Sequence, residues 1–215
     1  SELFSQSIAP FEGHPVFSVF SYQWAGLDHA TGNPLGIVNK TPSSDYSNIV
    51  NPSLDDIVYN GPANPQIFGS LMNSFSFHNF SLSVNITYKF QYVFRRTSIS
   101  YSTAFDMLNI HRDYALRWQK PGDENITSVP SLEYPANSAR ESFYTNAGVL
   151  VERGDHIRLQ DARVSYQFKK MGLQLYAYAN NLGIIWKANK NDIDPDYVRS
   201  VPQSKTFSIG ISARF

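Results

Sequence analysis

The acidic side chains of NDIDPDYV, Asp192, Asp194 and Asp196, fall at every second position and could bind a hard cation through oxygen. A calcium loop that starts this way needs Gly at its sixth position and Glu at its twelfth. Tyr197 and Gln203 stand there instead, so a solvated loop is expected and no metal. Asp55 and Asp56 are adjacent, so their side chains diverge, which suits acid–base work poorly because that needs positioned groups of matched pKa. The histidines, His14, His29, His78, His111 and His156, lie far apart without the spacing of a zinc helix and read as surface or turn residues. Cysteine is absent, which excludes disulfides, thiolate nucleophiles and thiolate zinc sites. No phosphate-binding glycine loop, G-x-G-x-x-G or G-x-S-x-G elbow occurs. With no coherent catalytic set, neither an enzyme nor a cofactor is expected. The most distinctive loop is RWQKPGDE, from Arg117 to Glu124. Trp118 could stack on a sugar ring or pack on a peptide; the alternative is a loop anchor that buries its ring. Arg117, Trp118 and Asp123 are the candidate contacts of this loop.

The elements that would position these residues are strands. Phe80, Leu82, Val84, Ile86, Tyr88, Phe90, Tyr92 and Phe94 alternate with Ser81, Ser83, Asn85, Thr87, Lys89 and Gln91. A period of two marks a strand with one apolar and one wet face. Run to Phe94, it would reach about 50 Å, far beyond the usual strand of a globular domain. Ile67, Leu71, Phe75 and Phe77 alternate likewise before it, with His78-Asn79 as a tight hairpin turn. In HIRLQDARVSYQF, Ile157 and Leu159 are in one phase and Val164, Tyr166 and Phe168 in the other, so a bulge is expected near Asp161. LQLYAYANNLGIIW is apolar on both phases and its facing is ambiguous. The last strand carries Phe207, Ile209, Ile211, Ala213 and Phe215 on one side. Thr97 to Asp155 and Lys187 to Pro202 are expected as long loops, and Thr41 to Pro65 mostly as loop. Trp24 and Trp186 lie near strand ends, where an interfacial girdle or ordinary packing would suit them.

Of the 215 residues, 42% are hydrophobic, 17% charged and 14% aromatic, with 13 Tyr and 15 Phe. Lys plus Arg equals Asp plus Glu at 18 each, so this balance gives no electrostatic argument for nucleic acid or for an anionic membrane surface as partner. No apolar run is long enough for a membrane helix. A barrel strand needs only about 9–11 residues, apolar at alternate positions. Short connections at His78-Asn79 and Lys169 to Gly172 alternate with long ones, as in outer-membrane barrels. The start at Ser1, without a leader pattern, fits a mature, trimmed or fragmentary chain.

Several blocks, in order, carry a resemblance: EGHPVFSVFSYQWAGLDHATGNPLG, NPQIFGSLMNSFSFHNFSLSVNITYKFQYVFRR, RWQKPGDENITSVP, GDHIRLQDARVSYQF, LQLYAYANNLGIIW and the closing TFSIGISARF. Together they resemble the C-terminal part of SusC/RagA-type TonB-dependent outer-membrane transporters of the Bacteroidetes. That resemblance implies an N-terminal plug inside a 22-stranded barrel, active import of glycans or peptides, a SusD-like surface lipoprotein as lid, and TonB as the source of force. The plug and the TonB-contacting segment have no counterpart in residues 1–215. It also implies that Phe207, Ile209, Ile211, Ala213 and Phe215 form the signal read by the barrel-assembly machinery.

The expected fold is all-β: six to eight antiparallel strands from the C-terminal portion of a large, 22-stranded transmembrane barrel with long extracellular loops and a periplasmic C-terminus. Phe80, Leu82, Val84, Ile86, Tyr88 and Phe90 would face the lipid bilayer. An open sheet cannot sit in lipid with unpaired edges, so pairing with the remainder of the barrel is expected, in the same chain or another. Arg117, Trp118 and Asp123 would touch lid or substrate. The rival expectation is a secreted, soluble β-sandwich that binds glycan. A sandwich would bury Leu82, Val84, Ile86, Tyr88 and Phe90 against a second sheet.

Overall fold

The computed structural model describes residues 11–107 and 110–213. The chain divides into two compact units, Ser1–Asn64 with Val93–Glu152, and Pro65–Tyr92 with Arg153–Phe215.

The first unit is built from short elements. Strand β1 (Ser18–Tyr22) pairs antiparallel with β4 (Ile57–Pro62), and β2 (Gly36–Val38) pairs with β3 (Thr41–Ser43). Asn39 and Lys40 turn the second hairpin with φ of 50° and 64°, the left-handed pair that a tight two-residue turn needs. Strand β7 (Val93–Arg95) pairs with β8 (Val151–Arg153). Among the described residues three α-helices, α1 (Tyr46–Ile49), α2 (Tyr101–Met107) and α3 (Ser138–Thr145), and several short 3-10 turns accompany these strands. Asn137 caps α3 by accepting the N–H groups of Ala139 and Arg140. Successive residues of α3 serve two cores. Tyr144 packs with Ile99, Tyr101, Ala104, Val129 and Leu150. Phe143 packs with Tyr22, Tyr46, Ile49 and Ala147. Trp24 packs against both, so it is a core residue and not a girdle residue.

The segments expected as loops are therefore partly ordered elements. Thr97 to Asp155 holds α2, α3 and one whole core, and Thr41 to Pro65 holds β3, α1 and β4. Their apolar residues are irregularly spaced because they fill a core made from short pieces, where no single period is imposed.

The second unit is one antiparallel sheet in the order β11-β10-β9-β6-β5. Its strands are β5 (Ile67–Phe77), β6 (Phe80–Phe90), β9 (His156–Phe168), β10 (Leu173–Lys187) and β11 (Thr206–Ala213). Five strands, not six to eight, share this sheet. His78-Asn79 is a tight turn, with Phe77 opposite Phe80 and His78 at φ 55°. The expected bulge is present: β9 slips against β6 between Asn85 and Ile86, so Leu159 and Asp161 straddle an extra Gln160. The strand expected to run to Phe94 ends at Phe90. Gln91 adopts φ 60° and donates its N–H to the Asp155 carboxylate at 2.7 Å, which breaks the extended course. Tyr92 and Phe94 keep the alternation but are buried and lie outside β6. Both tight turns and the end of β11 lie at one end of the sheet, since Phe80 is opposite Tyr166, Phe168 opposite Leu173, and Leu173 opposite Ala213. Phe215 lies outside the described residues.

Candidate functional site: a two-faced sheet and its charged rim

Register makes one face of the sheet continuous and apolar. Phe75–Leu82–Val164–Ala177–Ile209 is one row across all five strands, and Leu71–Ile86–Leu159 lies in another. The register also settles the facing of β10. Leu173, Leu175, Ala177 and Ala179 join the apolar face, and Gln174, Tyr176, Tyr178 and Asn180 the other. At the tight-turn end this face carries Phe77, Phe80, Tyr166 and Phe168. The Phe80 and Tyr166 rings meet edge-on at 4.7 Å, as do those of Tyr166 and Phe168. At the loop end it carries Tyr88, Phe90 and Trp186, with Tyr88 stacked on Phe90 at 5.6 Å and Phe90 6.3 Å from Trp186. A mainly aliphatic band, with Phe75 and Phe207 on its two outer strands, thus runs between two aromatic borders. From Phe80 to Phe90 the strand spans about 33 Å, or about 25 Å along an axis tilted by about 40°.

Among the described residues, no second sheet of the same unit covers this face. Leu82 is 41% exposed, Ile209 81% and Ile211 71%; Val84, Ile86, Tyr88 and Phe90 are partly exposed. The burial that a soluble sandwich requires of these side chains is not found. No helix among the described residues is long and apolar enough to cross a membrane, which says nothing about strands.

The opposite face is polar: Ser81, Ser83, Asn85, Thr87 and Lys89 of β6, Arg163 and Ser165 of β9, and Thr206, Ser208 and Ser212 of β11. Phe68 and Met72 of the edge strand β5 and Ile184 of β10 are apolar residues on it. Asn85 donates its amide to Asp161 at 3.0 Å. Tyr176 lies flat across Gly210, where a Cβ would come within 2.3 Å of its ring, and Arg163 covers the same ring at 4.5 Å. Tyr88 covers Gly69 in the same manner on the apolar face.

At the loop end, the polar face ends in a row of bases. Lys89 is opposite His156, His156 is opposite Lys187, and Arg158 stands one step inward opposite Thr87. The Asp192–Asp196 segment folds onto this row. Arg158 Nη2 donates to both Asp194 oxygens at 2.6 and 2.7 Å and lies 3.3 Å from Asp196 Oδ2. Lys89 Nζ donates to Asp196 Oδ1 at 2.7 Å, and His156 Nε2 lies 3.2 Å from Oδ2. Lys187 Nζ donates to the Asn191 and Ile193 carbonyls. Burial pushes the Asp196 carboxyl up, but hydrogen bonds from His156 and Lys89 outweigh it and hold the group well below the usual carboxylate range. The alternating aspartates are thus an ion-pair cluster, and no group of three or more His, Asp or Glu placed for a metal occurs among the described residues. Lys89, His156 and Arg158 escape a linear reading of the sequence. Their only signal there is a base at or near each strand end, facing the same way as the wet residues.

The RWQKPGDE loop, in the first unit, is held from inside. Trp118 is 8% exposed; its N–H pairs with the Val129 carbonyl at 2.9 Å and its indole N–H with Glu124 at 3.2 Å. Gly32, at φ 68°, lies against the ring with no room for a side chain. The indole is therefore an anchor, and its face is not open for stacking. Asp123 accepts the N–H groups of Gln119 and Lys120. Arg117 lies over the Tyr114 ring at 4.1 Å. His29 Nδ1 meets Glu124 at 2.7 Å, and this hydrogen bond, with others from the Gly122 N–H and Trp118, lowers the Glu124 carboxyl to about 2. Gln119, Lys120 and Pro121 of this loop are exposed, as are Leu116 and Ile126 on either side of it.

No family model matches the chain, and no curated protein does. Solved structures do. The structure of the RagAB peptide transporter matches with a TM-score of 0.63 and 22% identity over 90% of this chain and 22% of that one. The RagAB peptide importer matches in its 'open-open' state with a TM-score of 0.61 and in its 'closed-closed' state with 0.62. Both show 21% identity over 89% of this chain. This chain spans 22% of the length of the chains it matches. The arrangement of mostly antiparallel strands with few helices is therefore one that recurs within a chain of a peptide importer.

Proposed function

We propose that this chain is a wall segment of an outer-membrane β-barrel that imports oligomeric nutrients. It would be the C-terminal portion of a 22-stranded, SusC-like TonB-dependent transporter. The observation that carries the proposal is the exposed apolar face with an aromatic border at each end, whose height of about 25 Å matches the lipid-facing band of a transmembrane barrel. Lipid would cover that face, and the polar face would line the lumen. The tight turns and the C-terminus would be periplasmic and the long connections extracellular. Closing β5 and β11 against the remainder of the barrel would remove the unpaired backbone edges that hydrocarbon cannot solvate. The likeness to the RagAB peptide importer favours peptides over glycans as cargo. It also supports pairing with a surface lipoprotein lid, toward which Arg117, Asp123 and the outward side chains of their loop are the candidate contacts. The remaining assignments are a plug, TonB, and a barrel-assembly signal at Phe207, Ile209, Ile211, Ala213 and Phe215.

Growth tests the proposal. Cells that use oligopeptides as sole nitrogen source should stop growing when the gene is deleted, keep growing on free amino acids, and recover with the intact gene. Undiminished growth of the deletion strain on oligopeptides, with the labelled protein absent from outer-membrane fractions of the complemented strain, would overturn it.

A further inference from the structure

We propose that the polar face carries a carboxylate-binding subsite made by Lys89, His156 and Arg158, and that Asp194 and Asp196 occupy it as built-in competitors of an acidic peptide. The two halves of the cluster differ in kind. The donors stand on neighbouring strands in fixed register, Lys89 opposite His156 and Thr87 opposite Arg158. The acceptors stand on the connection between β10 and β11, residues 188–205, which contains neither strand nor helix. The rigid half is basic and the irregular half acidic.

Within the basic half, His156 is held independently of the connection, whereas Lys89 and Arg158 stand on β6 and β9 and find their charged partners on it. The side chains of His156 and Arg158 are 2% and 6% exposed. His156 Nδ1 is engaged by the Gly154 carbonyl at 2.9 Å and the Tyr92 hydroxyl at 3.1 Å, which aims Nε2 at the carboxylate. Gly154 permits this, because a Cβ there would come within 2.3 Å of the Tyr92 ring. The Tyr197 ring lies 5.8 Å from the Arg158 guanidinium. The acidic half is held as far as Tyr197 by the Lys187 Nζ bonds to the Asn191 and Ile193 carbonyls and by the Tyr197 N–H on the Asp194 carbonyl, and it loosens beyond that point. Past Tyr197 its further ties are a Ser200–Tyr197 backbone bond and the Asn181 amide on the Gln203 carbonyl, and residues 199–206 are exposed.

A tethered carboxylate competes at an effective concentration in the millimolar range. A free ligand with two carboxylates spaced as in Asp-x-Asp therefore displaces it only at comparable local concentration, and leaves readily. That suits passage rather than retention. The consequence for uptake rests on the transport proposal, whereas the subsite itself is a binding property.

The test uses the whole protein purified in detergent, labelled through Val201→Cys. Val201 is 88% exposed and residues 1–215 contain no cysteine; any cysteine outside them is replaced before labelling. The probe is the blocked peptide Ile-Asp-Pro-Asp-Tyr, and its control has Asn for both Asp. Millimolar acidic peptide should free the label and the control should not. Asp196→Asn should tighten peptide binding by about tenfold, and Lys89→Gln should weaken it. Asp192→Asn removes the same charge from the same connection, at a side chain that is fully exposed, and should change binding less than about twofold. An equal gain from Asp192→Asn and Asp196→Asn, or equal binding of the control peptide, overturns the subsite. Should Asp196→Asn fail to fold, the unaltered cluster decides alone, since an immobile label under millimolar acidic peptide also overturns it. Cells that import no peptide would sink the transport proposal and leave this binding result untouched.

Discussion

The two units treat the same kind of side chain in opposite ways. In the first, Phe143, Ala147, Tyr101 and Leu150 are sealed within cores at 0–1% exposure. In the second, Phe207, Ile209 and Ile211 stand 71–81% exposed, in register with apolar neighbours on β10. Scattered exposed apolar residues need no explanation, but a continuous apolar face does. The first unit seals these residues in cores of its own, although single residues such as Leu54 and Ile126 stay exposed; the second leaves the covering of a whole face to its surroundings. The difference teaches that apolar content alone does not locate a core, and that the cross-strand register does.

Substitutions can break this comparison, and the largest effect belongs to the first unit. Phe143→Ala empties a site with no exposure and should cost about 3–5 kcal/mol in denaturant unfolding. The equivalent truncation Ile209→Ala should change stability in detergent far less. Next comes charge on the apolar face. Val84→Arg places a cation in the middle of the band and should cost about 2–4 kcal/mol in lipid bilayers. Ser83→Arg, one residue away on the polar face, should be tolerated. A smaller loss follows from crowding. Gly210→Ala drives a Cβ into the Tyr176 ring and should cost about 1–3 kcal/mol, readable as a lowered midpoint with unchanged folding cooperativity.

The smallest expected effect is the pH response of the Trp118 loop. The Glu124 carboxyl, lowered from 4.5 to about 2, contributes fully above pH 4.5 and loses its contribution as pH falls through about 2. His29 is raised above 6.5 by the same partner, so its contribution is complete below pH 6.5 and is lost as pH rises through the raised value. Trp118 fluorescence should therefore change at both ends of this window. Glu124→Gln should abolish both steps.

What could be read in advance follows from period. The β6 alternation, the His78-Asn79 turn and the bulge beside Asp161 were legible because a strand with two different solvents must alternate, and a bulge must shift the phase. Where one period was not imposed, legibility failed. Tyr92 and Phe94 continued the β6 phase by coincidence, since the left-handed turn at Gln91 leaves no mark in an apolar pattern. The cores around α3 are assembled from residues as far apart as Tyr22 and Ala147. The basic row of Lys89, His156 and Lys187 comes from three separated strands, and only register brings it together. Ligand platform and buried anchor were both open for Trp118 because composition does not tell which side of a ring is covered.

The most direct test of the central claim is the collisional accessibility of nitroxide labels placed one at a time along β6, at Leu82, Ser83, Val84, Asn85, Ile86 and Thr87, with the protein in lipid bilayers. The account predicts a period of two: labels at Leu82, Val84 and Ile86 meet oxygen dissolved in lipid, and labels at Ser83, Asn85 and Thr87 meet only the aqueous reagent. Uniform aqueous access at all six positions, or protection of Leu82, Val84 and Ile86 from both reagents, would contradict it.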